Sequence, residues 1–338
     1  MTSRPDLIAY SESESRRFAL KLGRAGAAAV ADPTQFRDEI VDGGWDAVIL
    51  RIPCGSERVA AQLRALGLEP LQADTLVTWQ ADLQSIAVPA PEAPAGCSLR
   101  PASSADTDAI AALVHGVFAR YPNHYAANPL LDPALALEGY VEWALSHVDH
   151  ADRLCWLAMV DGEVAALACS SHAAAAGEAV GVLHGVDPRV GGRGIYRWLI
   201  ETSLQHYRQL GYRVFSIATQ VGNRSVQRVW GRLGLELEKA EATFHLMPLL
   251  GRASASAELG AFPCESFDEA LQSFWQRHHE WQGKSAGRSS LSAAADAVPE
   301  GPFGMRGLRF GRGGRAVSVL IGAVGRPVAW IHTDLNPD

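Results

Sequence analysis

The stretch Val186 to Gly194, VDPRVGGRG, carries the strongest chemical signal in the chain. It follows an apolar, strand-like run, Gly181 to Val186, and opens an amphipathic helix near Ile195. Glycine removes the side chains that would hold a ligand away from the backbone, and the first turn of a helix offers unpaired N–H groups and a partial positive charge. Such a loop is built to hold an anion, diphosphate first of all. Its candidate contacts are Val186, Arg189, Gly191, Gly192, Arg193, Gly194 and Ile195. Alone the signal is weak, because a solvated turn has the same composition. His184 stands on the preceding strand, and an imidazole's ordinary pKa suits it to take a proton near neutrality. Its competing reading is a satisfied core histidine. Asp187 and Glu178 flank the strand and are candidates to act through water. Tyr121, His124 and Tyr125 cluster in YPNHY, whose rings and hydroxyls suit a polar ring-shaped or amphipathic substrate.

The elements around these residues read as an α/β pattern. Asp46 to Ile52 reads as a strand, Ser56 to Leu66 as a helix and Thr75 to Leu83 as a strand. The Pro/Ala-rich segment Val88 to Gly96 has the composition of a semi-extended linker and marks a boundary. A short strand at Ser98 to Pro101 follows, then a helix over Asp106 to Arg120 that Ser104 is placed to cap. A second helix runs through Tyr140 and Trp143. RLCWLAMV and EVAALACS, joined at Asp161-Gly162, form a hairpin. After the anion loop come a helix to about Leu210, a strand ending in FSIATQ, a helix from Asn223 to Leu233 and a strand EATFHLM. Strands alternating with helices imply a mixed sheet with helices packed over it.

An internal repeat is visible: AVILRIPCGSERVAAQLRALGLEPLQADTLVTWQ aligns without a gap on VFSIATQVGNRSVQRVWGRLGLELEKAEATFHLM, matching Gly55, Leu66, Gly67 and Leu68 to Gly222, Leu233, Gly234 and Leu235. Any strand, helix, Gly C-cap and strand would look somewhat alike. Only the second copy follows a Gly-rich loop, so the first reads as a degenerate half. Beyond Met247, Phe267 to Trp281 reads as a helix and two short strands close the chain. MRGLRFGRGGR, Met305 to Arg315, reads first as a solvated turn. The sharper reading is a dock for an acidic partner through Arg306, Arg309, Arg312 and Arg315.

Composition bounds the rest. A net charge of -7 argues against a protein whose whole surface binds nucleic acid. Five cysteines without metal-like spacing read as scattered reduced thiols, so no metal is expected. The start of the chain lacks a signal-peptide core, and no apolar run reaches the ~18 residues of a membrane span. Cytoplasmic residence is the default expectation.

VDP, GGRGIYRWLI, FSIATQ and NRSVQRVWGRLGL, in that order from Val186 to Leu235, resemble the GNAT superfamily of N-acyltransferases. FARYPNHYAANPLLDP and ATQVGN are similar to the sugar-amine acetyltransferases that modify TDP-4-amino-4,6-dideoxygalactose (TDP-fucosamine). The resemblance covers about residues 1–247 and implies a tandem GNAT-like α/β fold: a degenerate half over 1–87, a linker at 88–96 and a complete domain over 97–249 with a mixed central sheet and flanking helices. A small α+β extension, 250–338, finds no counterpart. The implied activity is acyl transfer from a phosphopantetheine thioester, acyl-CoA (acetyl-CoA) first, to a primary amine of a small molecule by direct attack in a ternary complex. Backbone N–H groups of the Gly181–Val186 strand polarise the thioester carbonyl, each typically worth ~2–4 kcal/mol of barrier. His184 and Asp187 are then the catalytic candidates, Asn223 faces the pantetheine, and the YPNHY loop covers the acceptor.

Two departures from the family pattern stand out. Tyr196 occupies a place where a small residue usually allows diphosphate to approach, so either Arg189 and Arg193 compensate as clamps or free CoA is not the donor. Trp230 stands where many relatives carry the tyrosine that protonates the leaving thiolate, and an indole N–H is no usable acid. The alternatives are an acyl carrier protein docking at the C-terminal arginines, an aminoacyl-tRNA donor, or a non-catalytic scaffold that senses CoA or an amine.

Overall fold

The computed structural model describes residues 7–56, 58–128, 131–247, 306–312, 315–321 and 327–334. Its contacts divide the chain into two units: Met1–Ala73, Tyr125–Asp132 and Thr243–Asp338 form the first, and Asp74–His124 with Pro133–Ala242 the second.

The first unit opens with β1 (Ala9–Tyr10), α1 (Glu12–Phe18), β2 (Leu22–Ala25), α2 (Pro33–Asp42), β3 (Ala47–Pro53) and α3 (Arg58–Ala65). Asp32 starts α2 by accepting from the N–H groups of Thr34 and Gln35 at 3.0 Å, with Pro33 in the first turn where no donor is lost. One turn apart, Phe36 and Ile40 put α2's apolar stripe into the core. β3 is apolar on both faces, and Ala47 to Leu50 with Ile52 are buried. β1 pairs antiparallel with β2, and β2 pairs parallel with β3.

The second unit takes most of β4 (Pro70–Asp82), then β5 (Cys97–Pro101), α4 (Thr107–Phe118), α5 (Pro133–Leu145), β6 (Arg153–Val160), β7 (Glu163–Ala173), β8 (Glu178–Val186), α6 (Ile195–Gln209), β9 (Val214–Gln220), α7 (Arg224–Arg232) and the start of β10 (Glu236–Leu246). Its strands lie in the order β4-β9-β8-β7-β6-β5, antiparallel except for the parallel pair β8–β9. Alternating sheet residues feed two helical layers. Leu157, Leu167, Cys169 and Leu183 pack with α4 and α5, while Ala158, Ala166 and Ala168 pack with Trp198 and Leu199 of α6. The fold is thus mixed α/β, a central mixed sheet flanked by helices.

Several expectations are corrected here. The Val88–Gly96 linker lies inside the second unit, because β4 already pairs with β9 from Leu76–Gln220 to Asp82–Val214 before the linker begins. Ser103, not Ser104, caps the turn into α4, in a reciprocal capping box with Asp106. A bidentate Arg100 pair at 2.6 and 2.8 Å fixes Asp106 and holds its carboxyl far below the usual carboxylate range. Arg306 to Arg312 forms a strand, β11, rather than a solvated turn. It pairs antiparallel with β12 (Arg315–Ile321), which pairs with β13 (Pro327–Asp334). The expected helix Phe267 to Trp281 lies outside the described residues.

The two repeats adopt one shape. β3 and β9 occupy equivalent positions over seven residues each. Gly67 and Gly234 take the left-handed conformation, φ 86° and 85°, just past their helices. The next N–H reaches back identically, Leu68 to Leu63 O and Leu235 to Trp230 O, both at 3.0 Å. Leu63 and Trp230, matched by the alignment, are the fully buried residues of α3 and α7. Each repeat sends its last strand into the other unit: Asp74–Asp82 of β4 belongs to the second, and Thr243–Leu246 of β10 to the first.

Candidate active site

The ladder between β8 and β9 pairs Glu178–Gly181 with Val214–Ile217 and then stops, although β8 runs on to Val186 and β9 to Gln220. The parallel strands therefore diverge over their last residues, leaving a gap at the carboxyl ends, where open α/β sheets bind ligands.

The Gly-rich loop closes one end of β8. Asp187 caps a short turn, Pro188–Val190, by accepting from Arg189 N at 2.8 Å, and Gly192 and Gly194 follow at φ 80° and 83°. A Cβ at either glycine would meet nothing within 4 Å, so the backbone conformation, not crowding, demands glycine there. α6 begins at Ile195 with no side-chain cap and no acidic residue in its first turn. Its leading N–H groups lack intrahelical acceptors and a competing carboxylate. Val186 and Ile195 pack into the core behind the loop.

Both arginines are already engaged by protein groups. Arg189 is bound to Asp187 through Nε at 2.9 Å and Nη2 at 2.6 Å, and Arg193 donates to Ala95 O at 2.6 Å. The Arg189 guanidinium lowers the pKa of Asp187, whose Oδ1 caps the turn and whose Oδ2 accepts from that guanidinium. Tyr196 does not obstruct the loop. Its ring packs into the core cluster of α6, α7 and β9, and its hydroxyl accepts from Trp230 Nε1 at 3.0 Å. Burial raises the Tyr196 pKa, so the phenol stays protonated.

A β-bulge aims His184. Leu183 pairs with Cys169 and Gly181 with Ser170, so Val182 is the extra residue that turns Gly181 and His184 onto one face of β8. A Cβ on Gly181 would come within 2.8 Å of His184 Cε1 and 3.0 Å of Ile217 and Phe215. The His184 ring meets that of Tyr196 edge to face at 6.3 Å, and its Nε2 is enclosed without a hydrogen-bond partner among the described residues. Burial pushes its pKa down to about 4, so the imidazole is neutral at physiological pH. Gly181→Ala is expected to displace the ring and to cost about 1–3 kcal/mol of stability through overpacking. An unchanged urea midpoint counts against this packing.

His245, in the first unit, is likewise pushed down to about 4, mainly by burial. Unfolded histidines bind protons near pH 6.5, whereas these two take them up only near pH 4. Stability is therefore full above pH 6.5 and falls as pH drops through that window. Urea midpoints are expected to decline from pH 7 to 4.5, less steeply in His184→Gln. A flat profile contradicts the assignment.

A polar chain gathers at the carboxyl end of β9. Asn223 Nδ2 donates to Thr219 Oγ1 at 3.1 Å, Thr219 Oγ1 lies 3.0 Å from Tyr121 Oη, and Tyr121 donates to Gln220 Oε1. Gln220 Nε2 reaches Asp74 at 3.5 Å. This chain brings Tyr121 and Asn223 together at the end of β9, beside the divergence. His124 is buried in the second unit. Tyr125 belongs to the first unit, where its hydroxyl donates to Glu14 at 2.5 Å and burial raises its pKa. Sequence reasoning missed Gly181, Thr219 and Gln220. A glycine inside the strand pattern GVLHGV was the available signal for the bulge.

The second unit thus brings together diverging parallel strands, an uncapped helix behind a glycine turn and an enclosed neutral histidine. Residues 121–235, most of them in the second unit, match the model of the acetyltransferase (GNAT) family. No curated protein matches the chain. Among solved structures, it is similar to a functionally unknown conserved protein from Staphylococcus epidermidis, at 11% identity, TM-score 0.50, 72% of this chain and 93% of that one. It is also similar to a GCN5-related N-acetyltransferase from Sphaerobacter thermophilus, at 20% identity and TM-score 0.46, covering 59% of each chain. A tandem GNAT protein from the clavulanic acid biosynthesis pathway aligns at 15% identity and TM-score 0.44, over 64% of this chain and 69% of that one. The chain therefore spans less than two thirds of the Sphaerobacter protein's length. Among the described residues no helix is long and apolar enough to cross a membrane, and no cluster of three His, Cys, Asp or Glu side chains could hold a metal.

Proposed function

We propose that the chain transfers a small acyl group, acetyl first of all, from acyl-CoA to a primary amine of a small molecule by direct attack. The observation that carries this is the divergence of β8 from β9 at Gly181 and Ile217, immediately before an uncapped helix and a glycine turn. Gly191 to Ile195 hold the diphosphate of the donor. The unpaired backbone of β8 beyond Gly181 polarises the thioester carbonyl, and Asn223 and Tyr121 border the donor and acceptor.

His184 Nε2 takes the amine proton as the C–N bond forms. An attacking nitrogen becomes far more acidic during that step, so an imidazole of low pKa is an adequate acceptor. The C–S bond then breaks, and the thiolate leaves toward the phenol of Tyr196. Trp230 fixes that phenol at 3.0 Å, so Tyr196 supplies the donor that an indole at position 230 lacks. Tyr196→Phe is expected to lower kcat about tenfold, in line with one lost charge-assisted hydrogen bond.

With the Tyr196 ring turned inward, the main argument for a carrier-protein donor lapses, and acyl-CoA is the donor of choice. The resemblance of FARYPNHYAANPLLDP makes an amino-sugar nucleotide such as TDP-4-amino-4,6-dideoxygalactose the first acceptor to assay. The test follows free CoA thiol release from acetyl-CoA across a panel of primary amines, with acetylated product identified by mass spectrometry. Amine-dependent, saturable release supports the reading. Release with an acyl-loaded carrier alone, or with no amine in a broad panel, sinks it.

A further inference from the structure

The first unit repeats the geometry from which the transferase cleft is made. β2 and β3 pair in parallel from Leu22–Ala47 to Ala25–Leu50, four residue pairs, as β8 and β9 do from Glu178–Val214 to Gly181–Ile217. The sequence repeat aligns Ala47 with Val214, so both ladders end at equivalent positions. Beyond that point the copies differ. β8 continues and leads to the glycine loop, whereas the chain after β2 turns at Gly26 into a short helical turn, Ala27–Val30. This copy thus has no diverging strand to pair a pantetheine arm and no glycine turn to cradle diphosphate.

A cavity of about 420 Å³ occupies that place, lined by Ala9, Arg24, Gly26, Ile49 and Arg51 among others. Among the described residues no acidic side chain lines it. The size is in the usual range for a small-molecule site. Arg51 is the first residue of β3 past the ladder, the counterpart of Ala218 in β9. Arg24 is held from behind: Nε and Nη2 donate to Glu14 at 2.7 and 2.8 Å, and Tyr125 donates to the same carboxylate at 2.5 Å. Nη1 of Arg24 makes no hydrogen bond among the described residues, and the side chain remains 41% exposed. A guanidinium locked on one edge and open on the other is pre-organised for a planar acceptor. Glu14 already neutralises Arg24, so the walls are not the strongly cationic well that a phosphate cluster requires.

We propose that this cavity is a second ligand site, one that binds a small carboxylate through Arg24 and Arg51 at the position equivalent to the transferase cleft. The test is thermal unfolding and titration calorimetry of the full chain at low ionic strength with acetate, succinate and citrate. Dimethyl succinate and inorganic phosphate are the controls. At least one carboxylate is expected to raise the melting temperature saturably, with no shift from the neutral ester and a smaller one from phosphate. Arg51→Gln is expected to weaken that binding about tenfold. Gly26→Glu provides an independent check, since a Cβ there meets nothing within 4 Å and its carboxylate would fill the cavity. It should fold, keep its thiol-release activity and lose the carboxylate shift. The shift should survive in His184→Ala, which places it outside the transferase cleft. No shift with any carboxylate, an equal response to phosphate, or wild-type binding in both Arg51→Gln and Gly26→Glu overturns the proposal.

Discussion

His184→Ala is expected to lower kcat for amine acylation by about two to three orders of magnitude, the usual contribution of a positioned general base, with KM for acyl-CoA almost unchanged. The separation follows from geometry. His184 lies beyond the end of the β8–β9 ladder, against Gly181 and Tyr196, while the loop that would hold diphosphate starts only after Val186. Removing the ring leaves the donor's anchor intact. Since burial holds the imidazole pKa at about 4, its neutral form dominates throughout the range in which the enzyme would be assayed. Between pH 5 and 8 the wild-type profile should lack a limb from this residue, and a rise there should track deprotonation of the amine. Added imidazole should restore part of the alanine variant's rate, because the space beside Gly181 is left empty. A kcat within about threefold of wild type would falsify the role of His184 and return it to being a core histidine.

The sequence was readable where local rules suffice. The strand–helix–strand repeat is set by apolar runs and by Gly67 and Gly234 at left-handed positions, and both copies fold as aligned. The anion loop was legible because glycine adopts the left-handed φ values found at Gly192 and Gly194 without strain. What escaped depends on partners remote in sequence. A single extra residue at Val182 decides which face His184 occupies, and periodicity alone does not count bulges. Tyr196 looked like an obstruction because its spacing set it near the loop, yet the apolar stripe of α6 turns it inward to Trp230. The partners of Arg189 and Arg193, Asp187 and Ala95, escaped because they are matters of loop shape. The unit boundary escaped for the same reason: β4 pairs with β9, more than a hundred residues away in the chain.

With both arginines engaged by Asp187 and Ala95, the proposed donor site rests chiefly on backbone, which makes Gly194 its most sensitive position. Gly194 is the N-cap of α6 at φ 83°, and an added Cβ would meet nothing within 4 Å. Gly194→Asp therefore clashes with no neighbour, and aspartate tolerates left-handed backbone better than most residues. Its carboxylate, however, is placed to cap the free N–H groups of the first turn, the groups that diphosphate would use, and adds a like charge beside the bound anion. The KM for acetyl-CoA is expected to rise about a hundredfold, equivalent to ~3 kcal/mol of lost binding. Melting temperature should fall by no more than a few degrees, because the strain of a side chain at φ 83° is partly offset by the cap. Gly194→Ala, without a charge or a cap, should raise KM far less. A truncated donor, S-acetyl-N-acetylcysteamine, has no diphosphate, so its turnover should be equal in Gly194→Asp and wild type. Equal losses with both donors would mean that the substitution distorts α6, and an unchanged KM for acetyl-CoA would mean that the glycine loop does not hold the donor.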